Sequence, residues 1–143
     1  MIETYVDLNP TLNKFKRLGG KLANTSPLMK DVGQYLVGRI ETSFKKEIDP
    51  YGKKWQPLSP ATISEKERKG YPLKILTRTG TMRSSIRYKI QKKSVQIVVD
   101  TSYATFHQTG TRKMPKRQIV PEGKLPTTVQ RDIVDLSIEY LDI

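Results

Sequence analysis

Apolar positions recur along this chain with two periods, and the switches between them mark out the elements. Ile2, Thr4, Val6 and Leu8 alternate, a spacing that suits a short strand or an irregular lead-in equally. From Pro10 the period lengthens, with Leu12, Phe15, Leu18 and Leu22 at helical intervals. Gly19-Gly20 interrupts that run, and each glycine costs about 1 kcal/mol relative to alanine in a helix interior, so a short or bent helix is expected. The next stripe is cleaner: Leu28, Val32, Tyr35/Leu36, Ile40, Phe44 and Ile48 predict a helix over Ser26–Ile48. Ser26 suits its N-cap and Pro27 its first position, Asp31 and Lys45/Lys46 match the helix dipole, and Asp49-Pro50 is expected to end it.

The stretch from Tyr51 to Pro72 is rich in Pro, Gly, Ser and Lys and reads as a long basic loop, with a turn or two of helix over Thr62–Lys69. Leu73–Leu76 reads as a short strand, and Thr79 as the cap of a brief helix through Met82 and Ser85. Ile86, Tyr88 and Ile90, then Val95, Ile97 and Val99 after Lys92-Lys93-Ser94, have the alternation of an antiparallel hairpin. Tyr103–Gln108 is expected to be helical, 110–124 to be a second basic loop, and Pro126 to open a helix over 126–141 with Val129, Ile133, Leu136 and Tyr140 on one side.

The order predicts a single α+β domain over 1–143: N-terminal helices over about 10–48, basic loop 51–72, hairpin region 73–100, basic loop 110–124 and C-terminal helix 126–141. The long helix is expected to lie across one face of an antiparallel β-sheet, with short helical inserts and two long loops that are mobile in the monomer. A hydrophobic share of 36% and a mean hydropathy of -0.56 point to a modest core, or to a subunit completed by its neighbours. No run approaches the eighteen or so apolar residues of a membrane span, and the N-terminus does not read as a signal peptide, so synthesis in a cytoplasm is expected. With no cysteine, disulfides and thiolate metal sites are excluded.

The net charge of +12 is unevenly placed. Residues 51–125 hold seventeen Lys or Arg against four acids, whereas from Pro126 only Arg131 stands against Asp132, Asp135, Glu139 and Asp142. Such a field draws polyanions or acidic protein surfaces without specifying a fold. Candidate contacts for either are Lys53, Lys54, Arg83, Arg87, Lys89, Lys92, Lys93, Lys113 and Lys116. Arg87 and Lys89 are expected to make one sheet face cationic. A recognisable nucleic-acid-binding module is missing, and Trp55 is read as pinning its loop rather than stacking on bases.

Catalysis has little material. His107 is the only histidine, no serine lies in Gly-x-Ser-x-Gly, and the phosphate-loop pattern does not occur. A histidine ring nitrogen hydrogen-bonded to backbone is the expected role for His107. Glu65 and Glu67, amid Lys66, Arg68 and Lys69, read as a salt-bridged surface. No catalytic, cofactor or metal residue is assigned, and the chain is expected not to be an enzyme.

Four blocks remain: Asp49-Pro50-x-Gly52-x-x-Trp55-x-x-Leu58-Ser59-x-x-Thr62, Thr79-Gly80-x-Met82-x-x-Ser85-Ile86, Tyr103-Ala104-x-x-His107-Gln108-x-Gly110, and Met114-Pro115-x-Arg117. In this order, spanning about half the chain, they resemble the phage virion morphogenesis family of the Mu type. Met82 stands where leucine is usual, and Gln118-Ile119-Val120-Pro121 replaces the commoner Pro-Phe-Leu-Gly. Their physical content is architectural: Gly52 and Gly110 permit turns, while Trp55, Leu58, Tyr103 and Phe106 anchor loops.

The resemblance implies a structural protein of the virion, made in the bacterial host. It would complete the tail by assembling, as a homo-oligomeric ring, at the head-proximal end where the head joins. Its implied partners are tail and neck proteins, with DNA in the tail channel as a non-specific contact, and no membrane or cofactor. The alternative reading is a free, basic nucleic-acid-binding protein.

Overall fold

The three strands form one antiparallel sheet because each has an apolar face to hide, the central strand being buried on both faces. The computed structural model describes residues 1–10, 13, 26–91 and 94–141. The helix expected over Pro10–Leu22 falls almost wholly outside these, as do Lys92 and Lys93. Strand β1 (Ile2–Asp7) resolves the open reading of the N-terminus: it pairs with β3 (Ser94–Val99), which also pairs with β2 (Ile86–Ile90), in the order β1-β3-β2. The register aligns Ile2, Val99 and Ile86, then Thr4, Ile97 and Tyr88, then Val6, Val95 and Ile90, so these rows share one face.

Helix α1 (Ser26–Lys46) covers that face, as its apolar stripe requires. Leu28, Val32, Leu36, Ile40 and Phe44 are all buried, and each such side chain contributes about 1.5–3 kcal/mol relative to exposure. The helix stops two residues before the expected Ile48. Glu47 takes a left-handed φ of 57°, and the Ile48 N–H reaches back to the Ser43 carbonyl at 3.1 Å, the geometry of a Schellman ending. Ile48 is thereby freed to bridge Lys54.

The first basic loop holds more structure than its composition suggests. Helix α2 (Pro60–Lys69) is capped by Ser59, whose hydroxyl accepts from the Thr62 N–H at 3.2 Å, and ends on Gly70 in the left-handed region. Leu73–Leu76 is not a strand: Leu76 has φ 55°, and the carbonyls of Lys74 and Thr77 are bonded to a side chain instead of a ladder. Helix α3 (Thr81–Ser84) starts from Gly80 (φ 82°) rather than from a Thr79 cap, since Thr79 Oγ1 bonds the Thr81 hydroxyl at 2.7 Å. Helices α4 (Ala104–Thr109) and α5 (Thr127–Leu141) lie where expected. Val129 and Ile133 of α5 enter the core, and the Tyr35 hydroxyl donates to Asp132 at 2.5 Å, joining α1 to α5.

Candidate functional site

The first motif block builds a turn that delivers an aromatic anchor. Asp49 Oδ1 accepts from the N–H groups of Tyr51 (2.8 Å) and Lys53 (2.9 Å), and Gly52 supplies the positive φ. Trp55 leaves this turn 5% exposed, edge-on to Phe44 at 5.4 Å, and its Nε1–H donates to the Gln118 carbonyl at 2.9 Å. The expected pinning role is met: the indole ties the first loop to α1 and to the second loop, and is unavailable to stack on a base.

Gln108 holds the second loop from the other side. Its Oε1 accepts from the N–H groups of Ile119 (2.7 Å) and Val120 (3.1 Å), while Nε2 donates to the Val120 carbonyl (2.9 Å) and Glu122 (2.8 Å). Ile119 and Val120, within the segment that departs from the family pattern, are therefore buried in the core. Gly110 (φ 75°) has no room for a side chain, since a Cβ would stand 2.9 Å from the Lys116 nitrogen. Arg117 donates through Nε to the Gln56 carbonyl (2.9 Å) and through Nη2 to that of Pro57 (3.0 Å), and its N–H meets the His107 carbonyl at 2.8 Å. The two loops thus brace one another.

Between them lies a cleft of about 700 Å³. Leu58, Thr62, Thr79, Gly80, Met82, Tyr103, His107, Met114, Pro115 and Arg117 all line it, so all four motif blocks converge on one surface. Lys66, Arg78 and Lys113 join Arg117 in its wall, and no carboxylate among the described residues lines it. Arg78 is paired with Glu65 at 2.7 Å and lies over the Tyr71 ring. Among the described residues, no ion pair engages Lys66, Lys113 or Arg117.

Lys66 corrects the sequence reading of its segment. Glu65 does sit in surface ion pairs, with Arg78 and with Lys69 at 3.3 Å, but Lys66 is 4% exposed. Its ammonium donates to the carbonyls of Lys74 and Thr77, both at 2.7 Å. Burial, with Arg78 nearby, lowers its pKa, and Glu47 opposes the shift. Thr62 and Lys66 are one helical turn apart on α2, the spacing that could have marked Lys66 as inward-facing.

The other cations are dispersed. Lys53 and Lys54 are exposed on the turn after α1, Arg83 is half-buried in α3, and Lys116 approaches Glu122 at 3.7 Å. The sheet face bearing Arg87 and Lys89 is not simply cationic: the register places Glu3, Tyr5, Asp7 and Gln96 on it, and Arg87 is bound to Asp100 at 2.7 Å. Ser85 Oγ donates to the Met82 carbonyl, Ile86 opens β2, and Ala104 is fully buried. Of the candidate cations read from the sequence, only Lys113 among the described residues lines the cleft; Lys66 and Arg78 were not among the candidates.

His107 also differs from expectation. Its Nδ1 is buried with no hydrogen-bond partner among the described residues, and burial, then Arg117, lowers its pKa, so the ring is neutral at pH 7. Its ring meets Tyr103 edge-on at 6.4 Å. Ser59 shares the cleft but spends its hydroxyl on the α2 cap, and no acid among the described residues lines the cleft. Among the described residues, no group of three His, Asp or Glu could hold a metal ion, and no helix is long and apolar enough to cross a membrane. What the arrangement can do is hold an anionic, partly apolar group against fixed donors.

Among known proteins, the model of the phage virion morphogenesis family matches residues 6–139. No curated protein and no solved structure matches the chain.

Proposed function

The chain belongs to the phage virion morphogenesis family, and from that premise we propose that it completes the phage tail. In this reading it assembles as a ring at the head-proximal end of the tail and creates the surface to which the filled head attaches. The observation that carries the reading is the convergence of ten motif residues on one cationic cleft built for contact. Its donors are preset by hydrogen bonds to backbone, which lowers the entropy lost on gripping a neighbour. The braced loops give the rigid, charged surface that a joining subunit needs, and the low apolar share suits a subunit that buries further area on assembly.

The partners in this reading are other virion proteins of the tail and neck, and the action is structural, not catalytic. Electron microscopy of a lysate lacking only this gene tests it. Filled heads lying apart from unattached tails, with joining restored when the protein is supplied, are expected. Normal virions in normal numbers would remove the role.

The net charge of +12 favours one other reading, a free nucleic-acid-binding protein. That reading requires sub-micromolar binding to duplex DNA at about 0.15 M salt, with a steep salt slope. The burial of Trp55 and the mixed charge of the outer sheet face take away two of its supports.

A further inference from the structure

We infer that the cleft receives helix α5 of a second copy of this chain, making a head-to-tail contact. This deepens the ring reading above and rests on it. Two surfaces of the same molecule have complementary chemistry and no residue in common.

The first is the cleft. Lys66, Lys113 and Arg117 carry charges that no carboxylate among the described residues neutralises by ion pairing. The nearby acids are engaged elsewhere: Glu65 on Arg78, and Glu47 on Lys74 and the Ile75 N–H. An ammonium has three protons to donate, and Lys66 gives two to carbonyls, leaving one for a ligand. Tyr103 lines the cleft at 42% exposure, and Phe106, one turn further along α4, is 52% exposed. A charged floor with an aromatic lip asks for a ligand that is both acidic and apolar.

The second is the outward stripe of α5. Arg131, Asp135, Ile138 and Glu139 are exposed on it, and Ile138 is 48% exposed. Asp135 and Glu139 stand one turn apart, repel each other, and have no ion pair among the described residues. Arg131, the stripe's single cation, lies a turn back from Asp135, towards the N-terminus of α5. The C-terminal end therefore presents two acids flanking an aliphatic side chain, the counterpart of the cleft.

No residue of α5, α1 or β1 lines the cleft, so one molecule can use both surfaces at once. Contact between two different patches is heterologous and propagates, and it closes into a ring when the rotation per subunit permits. An isologous pair would bring α5 against α5, setting like charges together.

The chain has no native cysteine, so engineered ones report unambiguously. Ile138→Cys and Phe106→Cys are both at exposed positions and leave the core intact. The two purified variants are mixed under mild oxidation, with Thr42→Cys, on the exposed side of α1, as the control. The expected result is a mixed dimer of Ile138→Cys with Phe106→Cys, at about ten times the yield of either with Thr42→Cys. Adding Asp135→Lys and Glu139→Lys to the Ile138→Cys chain lowers that yield about tenfold. Yield no better than the control, equal self-crosslinking of Ile138→Cys, or indifference to charge reversal each overturns the proposal. Complementation separates the two readings. If wild-type protein restores head attachment and the Asp135→Lys/Glu139→Lys chain restores it equally, the α5 contact falls while tail completion stands. If loss of the gene leaves virions normal, tail completion itself falls.

Discussion

Replacing Gly33 by alanine isolates how closely α1 lies on the hairpin. A Cβ at this position would stand 2.6 Å from Tyr88 Cγ and 2.8 Å from its Cε2, and closer still to Cδ2. The ring cannot simply rotate away, because Tyr88 is set in β2 opposite Ile97 and packs against the core. Overpacking of this kind costs about 1–3 kcal/mol. Against it stands the gain of about 1 kcal/mol from removing a glycine inside a helix. Gly38, on the same helix, meets nothing within 4 Å, so Gly38→Ala takes the gain without the clash. The difference between the two variants therefore isolates the steric term, about 1–3 kcal/mol in favour of Gly38→Ala. Thermal unfolding reads it directly, at roughly 3 °C per kcal/mol for a chain of this length. In a Tyr88→Val background the clash is gone, and Gly33→Ala becomes as favourable as Gly38→Ala. A Gly33→Ala protein that melts at or above Gly38→Ala would refute the close approach.

Three further outcomes are expected. Gln108→Ala strands the N–H groups of Ile119 and Val120 in a buried setting, while the Val120 carbonyl keeps the Gln118 amide, costing about 2–4 kcal/mol, and hydrogen exchange at Ile119 and Val120 accelerates; unchanged protection there would contradict the bracing role. Lys66→Met removes the donor to the Lys74 and Thr77 carbonyls and destabilises by about 1–3 kcal/mol in chemical denaturation, whereas a true surface lysine would change stability by a few tenths. The lowered pKa of His107 means that the unfolded chain binds the proton more readily, so stability from this group is present above about pH 6.5 and is lost as pH falls through that value towards the lower folded pKa. His107→Gln flattens the melting-temperature profile below about pH 6.5, and an unaltered slope there would show that the ring is not the group responsible.

Much of the fold was legible because its signals are local. The α1 stripe, the hairpin alternation and the positions of α4 and α5 follow from periods of 3.6 and 2 that any window of the chain displays. Two local errors came from backbone conformation. Glu47 and Leu76 take positive φ, and nothing in a hydropathy pattern marks a non-glycine residue for that region. The length of α2 was understated because a ten-residue helix full of Lys and Glu has no apolar stripe to announce it.

The candidate site was legible in its parts and not in its assembly. The motif blocks stand in the sequence, and Trp55 was identified as an anchor, but its partner Gln118 lies 63 residues away and could not be named. Sequence alone determined the α+β class, the family, the basic middle and the acidic C-terminus, since each depends on residue identity and short-range order. Only the tertiary structure decided that β1 joins β3, that Lys66 turns inward while its neighbours face water, and that Leu58, Met82, His107 and Arg117 wall a single cleft. Those facts depend on contacts between distant segments, whose free energies arise only once the chain has folded and burial has set which charges keep their water.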